Sequence, residues 1–438
     1  MGFAIGIIIF ITCMVASIAL GYSMIPALLV GLAIFVILGM RRGFTLEEIF
    51  RSGMESVKES AVVIKVITII GLITAVWRIS GTIPVFIYYG IRIITPSMFL
   101  VVTYLLACIL SYALGTSFGV TGTLGVIFMA LARSGGVNPV ITAGVILSGV
   151  YFGDRGSPVA SSAHLVAGVT RTDIMTNVKY MMKTCVIPVV LTLCIYAFLS
   201  VRNPIGDIDA GIIGSLEDTF SLSVIAFIPA VLMLILPLFR LAVTTSILVS
   251  AAAGAVIAYC VQGMPILDIL KTCIMGYRSA DAGLGAILNG GGVISMVEVV
   301  IILIISCAYS GIFSCTGMME PVYAGLEKSC RKTGRFATCL IFGITGTILF
   351  CNQTITTLLC GDILSEPYRK TGGNKQELAI DIENSSIVAA GFIPWCLGCK
   401  VPLTFMGVGA EAIPYAVYLF LIPVCYLFTK RIWFKDRV

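Results

Sequence analysis

Apolar runs of roughly 18 or more residues recur along this chain from end to end, each long enough to cross a bilayer. Short loops with clustered Lys and Arg separate them, and no hydrophilic run is long enough to form a soluble domain. The pattern predicts an all-α polytopic membrane protein with roughly 11–13 transmembrane spans. Spans near 3–20 and 24–40 open the chain, and Arg41-Arg42 begins a polar segment through Glu59. Within it Leu46, Ile49, Phe50 and Met54 fall at helical spacing, which predicts an amphipathic helix lying at the membrane interface. Further spans are expected near 60–77, 83–95 and 96–113.

Two stretches break this pattern. Gly115 to Gly125 places glycines and hydroxyl residues at membrane depth, which predicts a broken or re-entrant helix or close helix packing. Gly149 to His164 is the more telling. It holds Asp154, Arg155, Gly156, Ser157, Pro158, Ser161, Ser162 and the single histidine of the chain, His164. Charge in hydrocarbon is costly and broken backbone leaves unpaired N–H and C=O groups, so such a run belongs inside the protein, lining a cavity.

The second half of the chain resembles the first. Residues 202–219 read as a linker between a half at 1–201 and a half at 220–438. A shift of 220 places Ile49 on Ile269 and Phe50 on Leu270. A shift of 236 places Thr121 on Thr357, Gly125 on Gly361, Asn138 on Asn374 and Pro158 on Pro394, with an insertion expected around Lys328 to Arg335. Interrupted helices at matching positions of two halves point to a secondary-transporter site near the bilayer midplane. The stretch that matches 149–164 is 385–400, and Asp381, Glu383, Asn384 and Ser385 lead into it.

Composition narrows the class. Of 438 residues, 58% are hydrophobic and 11% charged; a soluble domain carries about 25% charged residues. The first apolar run lacks preceding Lys or Arg and is followed at once by another span, so it is not a signal peptide. A cytoplasmic Arg41-Arg42 loop puts the N-terminus in the cytoplasm as well. The net charge of +6 reflects these loops and does not imply nucleic acid. The 15 cysteines lie scattered in apolar segments, read as buried thiols, and form no zinc pattern. With one histidine, no metal constellation and no phosphate-binding loop, neither an enzyme nor an ATP-driven pump is expected, and no cofactor. Trp77 and Trp433 read as interface anchors.

Sodium binding needs several oxygens, usually a carboxylate with hydroxyls and the free carbonyls of an unwound helix. One half offers Asp154, Ser157, Ser161 and Ser162; the other offers Asn352, Gln353, Thr354, Glu383, Asn384 and Ser385. An exchanger also needs a group that holds a proton until the cation arrives. Glu383 and Asp154 are the candidates, with His164 a third. Each has a plainer reading: Asp154 paired with a basic group, His164 at a watery helix end, Asn352 and Gln353 as bonds between helices.

Tyr151-Phe-Gly-Asp-Arg-Gly-Ser-Pro158 resembles the Phe-Gly-Asp-x-x-Ser-Pro signature of the NhaC-type sodium/proton antiporters. Gly290-Gly-Gly-Val-Ile-Ser-Met296, Asn352-Gln353, and Glu383 followed by Ile393-Pro-Trp395 resemble further segments of that family in the same order. The resemblance implies an exchanger of the ion transporter superfamily, with an inverted repeat, re-entrant hairpins and often a homodimer. Two acids of the family pattern are replaced here, by Ser161 and Asn384. The expectation is therefore a Na+/H+ antiporter of the cytoplasmic membrane working by alternating access. The alternative is a sodium- or proton-coupled carrier of a small organic anion or amino acid, with Arg155 as its carboxylate clamp. An ion channel is the alternative of another class.

Overall fold

The computed structural model describes residues 2–59, 61–93, 95–206, 210–239, 241–318 and 326–434. Within them the chain is helical, apart from loops and one isolated β-bridge between Tyr277 and Gly290. In the first half α1 (Gly2–Ala19) and α2 (Ile25–Arg41) pair, followed by α3 (Leu46–Glu59), α4 (Ala61–Ile79) and α5 (Thr82–Ile93). α3 starts with a capping box, in which the Thr45 amide donates to the Glu48 carboxylate at 2.8 Å and the Glu48 amide to the Thr45 hydroxyl. Its Ile49 is buried while Leu46, Phe50 and Met54 face outward, as an amphipathic helix on a bilayer requires. Trp77 is not an interface anchor. It is 2% exposed on α4 and donates to Ser250, because its indole N–H finds a buried hydroxyl there.

α6 (Phe99–Leu114) ends at Gly115, whose φ of 64° lets the chain reverse. A Cβ there would come within 2.6 Å of the Val159 backbone. Thr116 then caps α7 (Ser117–Ser134). The glycine-rich run is thus helical, with a π-helical turn at Thr121–Gly125, and the interruption lies just before it. The Thr121 and Thr123 hydroxyls keep it so by donating to the Ser117 and Gly119 carbonyls one turn back, at 2.6 and 2.7 Å. α8 (Pro139–Gly156) breaks at 157–160 and resumes as α9 (Ser161–Thr170), before the long α10 (Ile174–Arg202).

After α11 (Ala210–Thr219), the second half runs through α12 (Ile228–Leu238), α13 (Val243–Cys260), α14 (Ile266–Met275), α15 (Ala282–Leu288) and α16 (Val297–Thr316). α17 (Leu326–Thr333), α18 (Arg335–Phe350) and α19 (Gln353–Lys370) follow. A broken helix then comes in three pieces, α20 (Lys375–Glu383), α21 (Ser386–Ala389) and α22 (Leu397–Met406), and α23 (Val417–Trp433) closes the fold. α11 occupies the end of the expected linker, of which 207–209 lie outside the described residues. α17 occupies most of the expected insertion.

Helix bounds follow the predicted registers. Adding 236 to 99–114 gives 335–350, and the same shift carries α7 onto α19, α9 onto α22, and the start of α8 onto that of α20. A shift of 220 carries the start of α3 onto that of α14, whose Ile269 is likewise buried with Ile266 and Leu270 exposed. Four helices among the described residues are long and apolar enough to cross a membrane singly, or six if two bent pairs count as one span each. Fewer of the expected spans are single unbroken helices because much of the apolar sequence lies in shorter or broken ones.

Two glycine notches seat α8 on α6. A Cβ on Gly149 would meet that of Ala107 at 2.5 Å, and one on Gly153 would meet the Ser111 carbonyl carbon at 2.0 Å. The halves then interlock. α9 lies against α19, with Val169 over the notch at Gly361, and α22 lies against α7.

Candidate functional site

Asp154 and Arg155 sit in the last turn of α8, where Gly156 and the extended Ser157 end the helix. Across from them, α20 ends at Glu383 and the chain stays largely unwound until Leu397. The two breaks face each other. Asp154, Arg155, Glu383 and Asn384 are all buried, at 6%, 1%, 0% and 0% exposure.

Gln353, the first residue of α19, joins the halves. Its amide nitrogen donates to Asp154 Oδ2 at 3.0 Å and to the Ile387 carbonyl at 3.1 Å. Ser117, the first residue of α7, approaches the same Asp154 carboxylate. The carboxylate therefore lies where two helices begin, one from each half, and the positive ends of their dipoles favour its charge. Arg155 spans the gap as well. Its Nη1 donates to Asn384 Oδ1 and its Nη2 to the Met181 carbonyl at 2.6 Å.

Glu383 differs from every other acid in this region. Neither of its carboxylate oxygens has a hydrogen-bond partner, although both are buried. Arg155 and Asp154 lie within electrostatic range of it. Asn384 Nδ2 and the Tyr151 hydroxyl are buried without partners too, and the buried Tyr418 hydroxyl approaches the Arg155 guanidinium. Such groups are rare in folded proteins, and a cluster of them at a helix break singles out this region as the candidate site.

The other predicted residues divide. Ser162 donates to the Asp154 backbone carbonyl and so supports the turn. Ser157 donates to the Tyr112 carbonyl at 2.5 Å, and Ser385 to the Asp381 carbonyl at 2.6 Å. Asn352 accepts from the Thr354 amide at 2.9 Å as the cap of α19. Ser161, His164 and Thr354 are exposed. Asp381 belongs elsewhere: Tyr368, Tyr426 and Lys430 hold it, and Lys430 also bonds Glu377 at 2.6 Å. Arg335 completes that network by donating to Glu377 at 2.8 Å. Ser117 and Tyr418 were not singled out in the sequence. Ser117 is legible in it, because the shift of 236 carries it onto Gln353; Tyr418 has no such signal.

Two buried carboxylates where broken helices of the two halves meet, one of them held by the Gln353 amide, fit the site of a secondary transporter. Residues 149–430 match the model of the Na+/H+ antiporter family, and the chain belongs to that family. It is similar to the malate-2H+/Na+-lactate antiporter of Bacillus subtilis, with 27% identity over 376 residues, spanning 84% of this chain and 80% of that protein. It is equally similar to the Na+/H+ antiporter NhaC of Alkalihalophilus pseudofirmus, with 27% identity over 366 residues, spanning 82% and 79%. The arginine/ornithine antiporter ArcD of Halobacterium salinarum is 26% identical over 388 residues, spanning 86% and 80%. The chain is an integral, multi-pass membrane antiporter.

Proposed function

We propose that this chain exchanges a monovalent cation, Na+ first, for protons, and that Glu383 is the group that trades one for the other. The observation that carries this reading is the pair of unpartnered, fully buried Glu383 oxygens beside Asp154. A dehydrated cation supplies the partner those oxygens lack. A proton supplies the alternative, because one arginine beside two neighbouring buried carboxylates leaves one negative charge uncompensated. Asp154 is the standing ligand, held by Gln353, and the unwound residues after Glu383 offer backbone carbonyls.

Arg155 plays a positioning role in this reading. It is committed to Asn384 and to Met181, so it ties the two breaks together rather than standing open as a carboxylate clamp. Asn384, at a position where the family pattern has an acid, is what makes that bond possible without adding a third negative charge. The two halves 1–201 and 220–438 move relative to one another as repeats during alternating access, and the matched helix bounds support that division. The Arg41-Arg42 loop faces the cytoplasm of the cell membrane, and the N-terminus with it. A homodimer follows from the family resemblance.

The test is proton flux in liposomes containing purified protein and a pH dye. Addition of Na+, without organic substrate, is expected to evoke proton movement in the wild type and none in Glu383→Gln. Proton movement that requires a carboxylate or amino acid such as malate, lactate or arginine would replace this reading with the organic-cargo one.

A further inference from the structure

A second polar cavity lies away from the crossing. It holds about 180 Å³ and is bounded by α4, α7, the end of α22 and the loop 287–296. That is several times the roughly 30 Å³ of one water, and well under the roughly 300–1,000 Å³ of sites for drug-sized ligands. Two arginines line it. Arg78 is 7% exposed; its Nε donates to the Leu288 carbonyl at 2.7 Å and its Nη1 to the Thr74 carbonyl, which leaves Nη2 without a protein partner. Arg133 uses one nitrogen, Nη2, on the Met406 carbonyl at 2.9 Å. No carboxylate lines the cavity, and among the described residues neither arginine has an acidic partner. The two guanidinium groups repel each other across it.

The backbone is shaped to this arrangement. Gly290, Gly291 and Gly292 have φ of 124°, 74° and 85°, and a Cβ on Gly291 would come within 3.0 Å of Arg78 Nη1. Capping explains one carbonyl bond from each arginine, since Leu288 and Met406 end helices. It does not explain why two cations face one enclosed space with donors to spare. An anion between them removes the repulsion and fills those donors, and a planar carboxylate matches the guanidinium fork. The remaining walls are mixed: Ile83, Val126, Met129 and Phe405 are apolar, and Thr74, Asn289, Ser295 and Thr404 add hydroxyl and amide groups. Chloride or phosphate gains nothing from the apolar part of this wall, whereas a carboxylate with a hydrocarbon body does.

We infer that this cavity is a binding site for a small carboxylate anion, separate from the Asp154–Glu383 crossing. Calorimetric titration of the purified protein with succinate, at fixed pH and Na+, tests it. Saturable binding is expected, weakened at least tenfold in Arg133→Gln and in Arg78→Gln, and unchanged in Glu383→Gln. Arg133 is only partly buried, so its variant serves where Arg78→Gln does not fold. Binding that survives in folded Arg133→Gln, or is lost in Glu383→Gln, overturns the assignment, the second result placing the anion at the crossing. Equal competition by chloride, or no succinate binding by the wild type, also overturns it.

Discussion

Gly153→Ala is the sharpest test of the packing that holds the site. The added Cβ would lie 2.0 Å from the Ser111 carbonyl carbon, 2.2 Å from the Tyr112 nitrogen and 2.3 Å from the Ser111 oxygen. All three are backbone atoms, so no rotamer change relieves the clash. Ordinary contact begins near 3.4 Å, which means α8 must move off α6 by about 1.4 Å. Overpacking of this kind costs roughly 1–3 kcal/mol. The move also strains two buried bonds, from the Gly153 amide to Ser111 Oγ at 2.9 Å and from Ser111 Oγ to the Gly149 carbonyl at 3.0 Å. At about 1 kcal/mol each, the total reaches roughly 3–5 kcal/mol. Asp154 is the next residue, and a shift of about 1 Å at a reacting centre can cost about a hundredfold in rate. Unfolding of purified protein by denaturant, together with cation-driven proton flux in liposomes, measures both effects. Gly168→Ala is the control, because a Cβ there meets nothing within 4 Å. A Gly153→Ala protein as stable and active as Gly168→Ala would refute the close α6–α8 contact and the site geometry built on it.

Glu383→Gln is expected to run as a folded, monodisperse protein on size exclusion yet to lose coupled flux; full coupling in that variant would remove Glu383 from the mechanism. Gln353→Leu removes a hydrogen bond to a charged group, worth roughly 1.5–3 kcal/mol, so the apparent Na+ affinity should fall about 10- to 150-fold in a flux titration, and an unchanged value would show that the Asp154 contact is incidental. Lys430→Met leaves Glu377 and Asp381 facing each other without their shared cation, and thermal unfolding should show a loss of roughly 3–5 kcal/mol. Restoring neutrality at one acid, with Asp381→Asn in the same chain, should recover part of it; no recovery would mean that Lys430 acts by packing.

Much of this molecule is legible in its sequence because helix boundaries are written by local chemistry. Asn138 and Asn374 both cap helices, and Gly115 and Cys351 both take the left-handed turn that lets a chain reverse. These signals depend on near neighbours, so a register of 236 found in the sequence reappears in the fold. The hydroxyls of 149–164 were harder to place. Serine at a helix break binds cargo or satisfies a nearby carbonyl with equal ease, and Ser157 and Ser162 do the latter. Asp381 and Glu383 stand two residues apart, and only the fold shows that Lys430 claims one and leaves the other unpartnered. Trp77 was misread for a similar reason: its hydroxyl partner, Ser250, is 173 residues away.

The Lys430 network also sets an order on biosynthesis. Asp381 and its cation are 49 residues apart, and the cation is near the end of the chain. At about 5–20 residues per second, a ribosome makes those residues in roughly 2.5–10 s, during which Glu377 and Asp381 enter the membrane lacking their lysine. Until α23 arrives, Arg335 and Tyr368 are the partners available to α20, and Asp381 lacks its cation. The candidate site is therefore among the last parts of the protein to be completed, and a chain released early would carry Asp381 without its lysine while Glu377 keeps Arg335.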